Sequence, residues 1–319
     1  MCRSNRINCS VFLLFAIAVG LILQSPGSCR ADSANTQGII VPAYFYPGTG
    51  GPGGVGDGWA AMAAAAGQVP VTAVFNPDSG PLPGPADPNY VTAMTNLENA
   101  GGRAVGYVYT NDGGTPLTAV ESQISTYVSQ YGSLMNGFYL DGMSVTPSTL
   151  SYYQNLDSYI KGLSLSYTVI GNPGQPYLNS VSPANYLSTA DIFDIFEGPD
   201  TAPVGNPGFN NYPYGQNWFL NYPSDRFTNT IYDVPTTSAM LVDVSTANQL
   251  DAGYVYITDQ MGPNPYDQLP SYWDQEVSAV ASLPEPSPLA FTLILASLLV
   301  ISARPRVRFN AQEKTALSR

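Results

Sequence analysis

Short runs of apolar and β-branched residues alternate along the chain with stretches in which apolar residues recur at helical spacing. This alternation is typical of parallel strands joined by crossover helices. It predicts eight strands, at Gly38–Tyr46, Thr72–Asn76, Ala104–Thr110, Gly137–Asp141, Tyr167–Asn172, Ile192–Glu197, Thr228–Asp233 and Gly253–Thr258. The predicted helices are Trp59–Ala66, Asn89–Ala100, Thr118–Tyr131, Pro147–Leu163, Pro183–Thr189, Gly215–Leu220, Ser245–Leu250 and Ser271–Ala281. Eight units between residues 32 and 283 favour a single closed (β/α)8 TIM-like barrel over an open doubly wound sheet, since that fold typically takes about 250 residues.

The first 31 residues have the features of a secretory signal peptide. Arg3 and Arg6 precede an apolar run, Val11 to Leu23, and small residues follow it. A basic start, an apolar stretch and a small-residue cut site define such a signal. We therefore predict cleavage after Ala31 and export of the chain. A lipoprotein signal on Cys29 is the alternative, and Pro26 argues against it because an aliphatic residue is expected there.

Residues 284–319 contain a second apolar run. Pro284-Glu285-Pro286 precedes Leu289 to Ala303, and three arginines follow. The run is near the lower limit of about 17–25 residues for a transmembrane helix, and the arginines favour a cytoplasmic end. A buried final helix of the domain is the alternative. The order of these features resembles a PEP-CTERM sorting signal. That resemblance implies an exosortase-type processing enzyme as partner, membrane contact before processing, and a location in the cell envelope or outside the cell.

Composition excludes several kinds of site. The chain contains no histidine, and its three cysteines (Cys2, Cys9 and Cys29) all precede the predicted cut. Histidine-dependent triads, cysteine nucleophiles and most catalytic zinc sites are therefore excluded. The sequence requires no cofactor and no metal. The loop from Asn76 to Asp87 is acidic enough to consider calcium, with plain solvated turns as the more common alternative.

Charge narrows the class of partner. The net charge is −12, and only three basic residues (Arg103, Lys161 and Arg226) lie between residues 32 and 283. Binding to nucleic acid through phosphate neutralisation is excluded on this ground. An acidic domain rich in tyrosine, asparagine and glycine suits an extracellular protein that binds polysaccharide.

Two carboxylates end apolar strands and are predicted to be catalytic. Asp141 ends the run beginning at Gly137, and Glu197 ends the run beginning at Ile192. The carboxyl ends of the strands build the site of a (β/α)8 barrel, and glycoside hydrolysis needs two carboxyl groups there. The alternative is that either group caps a helix or forms an ion pair with Arg103 or Lys161.

Aromatic and polar residues near the same strand ends are predicted to bind substrate. The set comprises Tyr44, Tyr46, Asn76, Tyr107, Tyr109, Asn172, Trp218 and Asp259. Alternate spacing places each tyrosine pair on one face of its strand, where the rings could stack on sugar C–H groups. For any single tyrosine, ordinary core packing is an equally good explanation. Trp218, in a loop-rich segment, is the favoured ligand platform.

Several sequence blocks are similar to the spherulin-4 domain, also called spherulation-specific family 4. They are Val41 to Gly48, Phe75 to Pro81, Ala100 to Thr110, Gly137 to Asp141, Asn172 to Gly174 and Phe196-Glu197. The resemblance runs from about Gly38 to Trp273 and implies a (β/α)8 barrel. It also implies kinship with endo-acting fungal glycosidases that cleave α-linked N-acetylgalactosamine in galactosaminogalactan. The family site has an Asp-Glu pair on strand four and a Glu on strand six. Asp141 and Glu197 match the Asp and the strand-six Glu, whereas Gly142 stands where the family has the adjacent Glu.

The departure at Gly142 leaves two functions open. The first is an exported glycoside hydrolase acting on exopolysaccharide that contains amino sugars, with Asp141 and Glu197 sufficient for catalysis. The second is a catalytically weakened or inactive glycan-binding protein of the envelope or matrix. Asp57 and Asp112, in the first and third βα loops, are candidates to replace the missing carboxylate, although their spacing does not favour either. A purely structural envelope protein is a third class.

Overall fold

Eight parallel strands close into a barrel in the computed structural model, which describes residues 37–201 and 208–283. The strands are β1 (Gly38–Ala43), β2 (Val71–Phe75), β3 (Arg103–Tyr109), β4 (Gly137–Asp141), β5 (Thr168–Gly171), β6 (Ile192–Pro199), β7 (Phe227–Tyr232) and β8 (Tyr254–Ile257). They pair in chain order, and β8 closes on β1 through Gly38–Tyr254 and Ile39–Val255. The prediction of a closed TIM-like barrel is confirmed, with a strand at each of the eight predicted places.

The strands are recognisable in the sequence because both of their faces are buried. All six residues of β1 are buried, and β2 and β4 each have four buried residues of five. Strands of parallel sheets covered on both faces are read as nearly continuous apolar runs. This burial pattern explains why every strand could be predicted from an apolar run bounded by glycine, proline or polar residues.

Seven α-helices surround the barrel in the described part of the chain. They are α1 (Gly58–Ala66), α2 (Pro88–Asn99), α3 (Leu117–Tyr131), α4 (Leu150–Leu163), α5 (Pro183–Tyr186), α6 (Thr237–Gln249) and α7 (Trp273–Ala281). Local capping fixes several starts: Asp57 accepts from the Trp59 amide at 3.0 Å, and Asp87 accepts from the Asn89 amide at 2.8 Å. Such caps satisfy amides that have no partner within the helix.

The helix predictions are wrong in the segment after β6. Instead of a helix at Gly215–Leu220 there is a 3-10 turn at Trp218–Asn221, with further 3-10 turns on either side. Pro213, Gly215 and Pro223 interrupt this segment, and its aromatic residues pack as a cluster rather than along one helix face. The helix predicted at Ser245–Leu250 begins eight residues earlier, at Thr237, because the Thr236 side chain caps it by accepting from the Ala239 amide.

Two groups of buried side chains form the core. A small group fills the barrel lumen: Ile40, Val74, Val105, Tyr107, Tyr139, Ile170 and Ile192. A larger group, including Trp59, Tyr127 and Trp273, packs between the strands and the surrounding helices. The lumen is therefore a packed interior that contains the tyrosines Tyr107 and Tyr139.

The predicted signal peptide and the PEP-CTERM-like segment lie outside the described residues, and both stay predictions. Among residues 37–201 and 208–283, no helix is long and apolar enough to cross a membrane.

Candidate active site

The carboxylates of Asp141 and Glu197 lie together at the carboxyl end of the barrel. Asp141 is the last residue of β4, and Glu197 lies on β6. The pairing of β6 with β7 shifts register between Asp194 and Phe196. A regular strand would direct residues three apart to opposite faces, whereas a bulge resets the alternation. The bulge therefore allows Asp194 and Glu197 both to project into the barrel.

One amide side chain joins the two carboxylates. The Asn172 Nδ2 donates to Asp141 Oδ1 at 2.9 Å and to Glu197 Oε2 at 2.6 Å. The two acceptor oxygens can be no further apart than the sum of these distances, 5.5 Å. Asn172 follows β5, between the strands that carry the carboxylates, and is buried. Asn172, which the sequence predicts as a substrate-binding residue, therefore lies between the two carboxylates and bonds both of them.

Each carboxylate also accepts a phenol hydrogen bond on its other oxygen. Tyr107 donates to Asp141 Oδ2 at 2.7 Å, and Tyr266 donates to Glu197 Oε1 at 2.6 Å. Neither carboxylate forms an ion pair with a described residue, because the one such pair joins Lys161 to Asp191 elsewhere. The alternatives of helix capping and pairing with Arg103 or Lys161 therefore do not describe the structure.

The electrostatics of the pair are set by burial and by neutral donors. Burial raises the pKa of Glu197, and the charge of Asp141 raises it further, whereas the hydrogen bonds from Tyr266 and Asn172 lower it. Burial and the neighbouring carboxylates raise the pKa values of Tyr107 and Tyr266 well above that of free tyrosine. Both phenols consequently stay protonated at neutral pH and act only as donors to the carboxylates.

A third acidic residue lies below the pair, and the sequence reasoning missed its position in the site. Asp194 is almost completely buried, and its Oδ2 accepts from Thr230 at 2.6 Å and from Tyr139 at 3.2 Å. Its Oδ1 has no hydrogen-bond partner among the described residues. Burial, followed by the charge of Glu197, raises the pKa of Asp194 well above the usual carboxyl value, which favours the protonated form. A polar residue within the apolar run of β6 was the available signal.

A cavity of about 680 Å³ opens above the two carboxylates. It is lined by Tyr44, Asn76, Pro77, Asp78, Ser79, Tyr107, Asp141, Glu197, Tyr232, Gly262, Pro263, Asn264, Pro265 and Tyr266. This volume is in the range of pockets that hold small ligands, about 300–1,000 Å³. The loop after β8 supplies five consecutive lining residues. The sequence reasoning missed this loop, because nothing in its local composition distinguishes it from an ordinary connection.

Three of the predicted substrate-binding residues line this cavity. Tyr44, Asn76 and Tyr107 contribute to its wall. The ring of Tyr44 packs edge-on against both Tyr107 and Tyr266, with centroid distances of 5.6 Å in each case. Edge-to-face packing of this kind fixes ring orientation. The aromatic wall is therefore rigid on the side where the phenols bond the carboxylates.

The other five predicted binding residues lie outside the cavity lining: Asn172, which joins the two carboxylates, and Tyr46, Tyr109, Trp218 and Asp259. Tyr46 donates to Asp87 at 2.9 Å and joins the first loop to the start of α2. Tyr109 lies 46% exposed beside Gly142. The indole of Trp218 donates to the Pro176 carbonyl at 2.7 Å and packs against neighbouring aromatic rings. Asp259 accepts from the amide and hydroxyl of Ser271, which anchors the chain before α7.

The two loop residues predicted as possible replacements, Asp57 and Asp112, do not line the cavity. The side chain of Asp57 caps α1, and Asp112 is exposed in the loop after β3. In the described ranges, no group of three or more acidic, histidine or cysteine side chains is arranged to hold a metal ion.

The family assignment rests on a match along almost the whole barrel. Residues 38–280 match the model of spherulation-specific family 4. The chain belongs to this family. Spherulin-4 of Physarum polycephalum is 33% identical over 264 residues, which cover 79% of this chain and 73% of that protein. The suspected family resemblance is therefore confirmed.

A solved structure of similar fold is Sph3 of Aspergillus clavatus, in complex with GalNAc. It is 26% identical, the match covers 77% of this chain and 98% of Sph3, and the TM-score is 0.61. The barrel of this spherulin-4 family member is therefore shared with a protein whose structure contains a bound amino sugar.

The backbone at Gly142 has a conformation that suits glycine. Its φ is +58°, a left-handed conformation that side chains other than glycine adopt at a cost of about 1–2 kcal/mol. A Cβ there would lie 2.5 Å from Cε2 of Tyr109. The Gly142 carbonyl accepts from the Asp112 amide at 2.7 Å and from the Thr110 hydroxyl at 2.7 Å, which holds this conformation. A glutamate at position 142 would therefore require Tyr109 to move.

Proposed function

We propose that this protein is an exported glycoside hydrolase that cleaves a polysaccharide containing amino sugars of the N-acetylgalactosamine type. One observation carries the proposal: Asp141 and Glu197 share the Asn172 amide at the floor of an open cavity, with oxygens no more than 5.5 Å apart. Membership in the spherulin-4 family and the likeness to Sph3, which binds GalNAc, support the choice of substrate class.

The separation of the carboxylates favours retention of configuration. Retaining glycosidases hold their two carboxyl groups about 5–5.5 Å apart, whereas inverting enzymes need about 6.5–9.5 Å to admit a water molecule. In this proposal Glu197, whose pKa is raised by burial, protonates the leaving oxygen. Asp141 attacks the anomeric carbon and forms the glycosyl-enzyme intermediate. Glu197 then takes a proton from the water that releases the sugar.

Three neutral hydrogen-bond donors hold the nucleophile and the acid in this proposal. Tyr107 and Asn172 orient the attacking oxygens of Asp141, and Tyr266 and Asn172 orient Glu197. All three donors are neutral, so the pair keeps a shared negative charge that can stabilise an oxocarbenium-like transition state.

Export is proposed from the terminal segments of the sequence. Residues 1–31 would be removed as a signal peptide, and residues 284–319 would engage the membrane and an exosortase-type enzyme before processing. Mass spectrometry of the protein recovered from its producing cells tests both points. Termini near Asp32 and Pro284 support the proposal, and an intact chain recovered from the cytoplasm contradicts it.

Hydrolysis is tested by the release of reducing ends from α-linked N-acetylgalactosamine oligomers. We expect Asp141→Asn and Glu197→Gln each to lower the rate by about 10²- to 10⁴-fold, as for removal of a general acid or base. Asp112→Asn is the matched control, since it removes an equal charge near the cavity mouth without touching the lining. Equal rates in all three variants would refute the roles given to the pair.

A second candidate function, glycan binding without turnover, has one specific observation in its favour. Gly142 occupies the place of a family glutamate, and Tyr109 fills the space beside it. Retention of the oligomers without release of reducing ends, unchanged by substitution of Asp141 or Glu197, would favour this function. Absence of any affinity for glycans would favour a purely structural role instead.

A further inference from the structure

The positive charges of the described chain all lie at the end of the barrel opposite the cavity. Arg103 is the first residue of β3, and Arg226 directly precedes β7. Lys161, in the last turn of α4, donates to the Tyr167 carbonyl at 2.6 Å and pairs with Asp191. Tyr167 precedes β5, and Asp191 precedes β6. No lysine or arginine in residues 37–201 or 208–283 therefore lies at the carboxyl end of the strands.

The cavity itself contains three carboxyl groups and no compensating cation. Asp141 and Glu197 are held by neutral donors, as described above. Asp78, in the loop after β2, also lines the cavity and is exposed. Its carboxylate has no hydrogen bond or ion pair with any described residue. Asp78 is thus the one carboxylate of the lining that is free to contact a ligand directly.

The loop that carries Asp78 has a defined conformation. The Asn76 Oδ1 accepts from the Gly80 amide at 3.1 Å, and the Asp78 amide donates to the Gly80 carbonyl at 3.3 Å. Ser79 and Gly80 adopt positive φ angles of 51° and 146° within this turn. Asp78 is consequently presented at the cavity wall by a hydrogen-bonded turn.

Further acidic residues surround the cavity at the same end of the barrel. They follow strands or cap the helices after them: Asp57, Asp87, Asp112, Asp233, Asp259 and Asp267. Clefts lined by one sign of charge concentrate ligands of the opposite sign and repel ligands of the same sign. A polymer of uronic acids or sulfated sugars would meet repulsion along the whole face. A polymer with protonated amines would meet attraction.

We propose that the cavity selects amino-sugar polymers that carry free, protonated amines, and that Asp78 pairs with one such ammonium group as a specificity-determining residue. This inference rests on the proposed function and narrows its substrate class. N-acetylation removes the positive charge of the sugar, so the fully acetylated polymer would bind less tightly than its de-N-acetylated form. The pairing is exposed to solvent, so its contribution is modest and depends on salt.

Equilibrium binding tests the inference with three oligosaccharides of equal length. The probes are α-linked N-acetylgalactosamine, the same oligomer after complete de-N-acetylation, and galacturonic acid. All measurements use the full chain carrying Glu197→Gln, so that cleavage of the probes is slow during the measurement. We expect the amine oligomer to bind most tightly and the uronic acid oligomer least, with the difference shrinking as salt is added. Asp78→Asn should reduce the advantage of the amine oligomer by about 2- to 5-fold.

Glu98→Gln is the matched control, because Glu98 is exposed near the end of α2, away from the cavity, and loses the same charge. The inference is overturned if the acetylated oligomer binds as tightly as the amine oligomer. It is also overturned if Asp78→Asn and Glu98→Gln have equal effects.

Cleavage is measured separately with the unsubstituted protein. Cleavage of the acetylated oligomer without preferred binding of the amine oligomer would leave the hydrolase proposal intact and reject this inference alone. Cleavage of neither oligomer would reject the hydrolase proposal.

Discussion

Replacement of Asn172 by alanine removes the single group that contacts both carboxylates. The substitution deletes the donor to Asp141 Oδ1 at 2.9 Å and the donor to Glu197 Oε2 at 2.6 Å. The Asn172 Oδ1 has no hydrogen-bond partner among the described residues, so no other described side-chain bond is lost with it. The variant therefore perturbs the carboxylate pair with little additional disturbance.

The magnitude follows from the strength of a charge-assisted hydrogen bond. Such a bond contributes about 1.5–3 kcal/mol, and one pKa unit corresponds to about 1.4 kcal/mol. The Asn172 hydrogen bond lowers the pKa of Glu197, so its loss should raise that pKa. The same energy, lost from the orientation of the pair, predicts a fall in kcat/KM of about 10- to 100-fold.

The assay is the pH dependence of kcat/KM on an N-acetylgalactosamine oligomer. A general acid acts in its protonated form, so Glu197 should determine the alkaline limb of the profile. We expect Asn172→Ala to move that limb to higher pH, because the pKa of Glu197 rises when this hydrogen bond is lost. Asn76→Ala is the control and should move neither limb. Asn76 lines the cavity, and among the described residues its side chain accepts only from the Gly80 amide. Movement of the acid limb instead would show that Glu197 acts as the nucleophile, and no movement of either limb would refute the bridging role of Asn172.

Three further predictions follow from the contacts of the site. Tyr266→Phe removes the 2.6 Å hydrogen bond from the phenol to Glu197, so kcat/KM should fall by about 10-fold and the alkaline limb of the pH profile should move to higher pH. Tyr272→Phe is the control, because the Tyr272 phenol donates to the Val234 carbonyl, and it should leave this limb in place. Gly142→Glu should lower the free energy of unfolding by at least about 1–2 kcal/mol without raising activity, because the left-handed backbone and the Tyr109 ring both disfavour a side chain at this position. A variant that is as stable in thermal melts and faster in rate assays would contradict this reasoning. The pKa of Asp194 is raised in the folded state. Between the ordinary carboxyl pKa and the raised value, its contribution to stability therefore falls as pH rises, by up to about 1.4 kcal/mol per pH unit. Asp194→Asn should therefore gain stability over the unsubstituted protein towards neutral pH and match it at strongly acidic pH, as measured by urea unfolding, and a constant difference across pH would argue against a buried neutral acid.

The sequence predicted the barrel well because its strands are covered on both faces. Apolar runs such as that of β1 have few alternative interpretations when glycine, proline and polar residues bound them. The start of α6 was misplaced because its first turn lacks apolar periodicity and is fixed by the Thr236 side chain instead. The segment from Gly208 to Arg226 was misjudged because aromatic packing among distant residues decides its conformation.

The candidate site was predictable where strands alone determine position. Asp141, Glu197 and Asn172 follow or end neighbouring strands of one closed sheet, and strand order brings them together. Tyr266 was not predictable, since it lies in a loop well past the end of β8 and reaches Glu197 only through the folding of that loop. Asp194 stands out in the sequence as a polar residue within an apolar run, but the local sequence does not reveal the bulge that lets it share the barrel interior with Glu197. Trp218 was predicted to bind ligand because it lies in a loop-rich segment, but its indole donates to the Pro176 carbonyl and lies outside the cavity lining.

The most direct test of the account is the configuration of the first product. Proton NMR during hydrolysis of an α-linked N-acetylgalactosamine oligomer distinguishes the anomers before they interconvert. Two carboxylates whose nearest oxygens are within 5.5 Å predict that the new reducing end first appears in the α form. Initial release of the β form would contradict the pairing of Asp141 with Glu197 as nucleophile and acid.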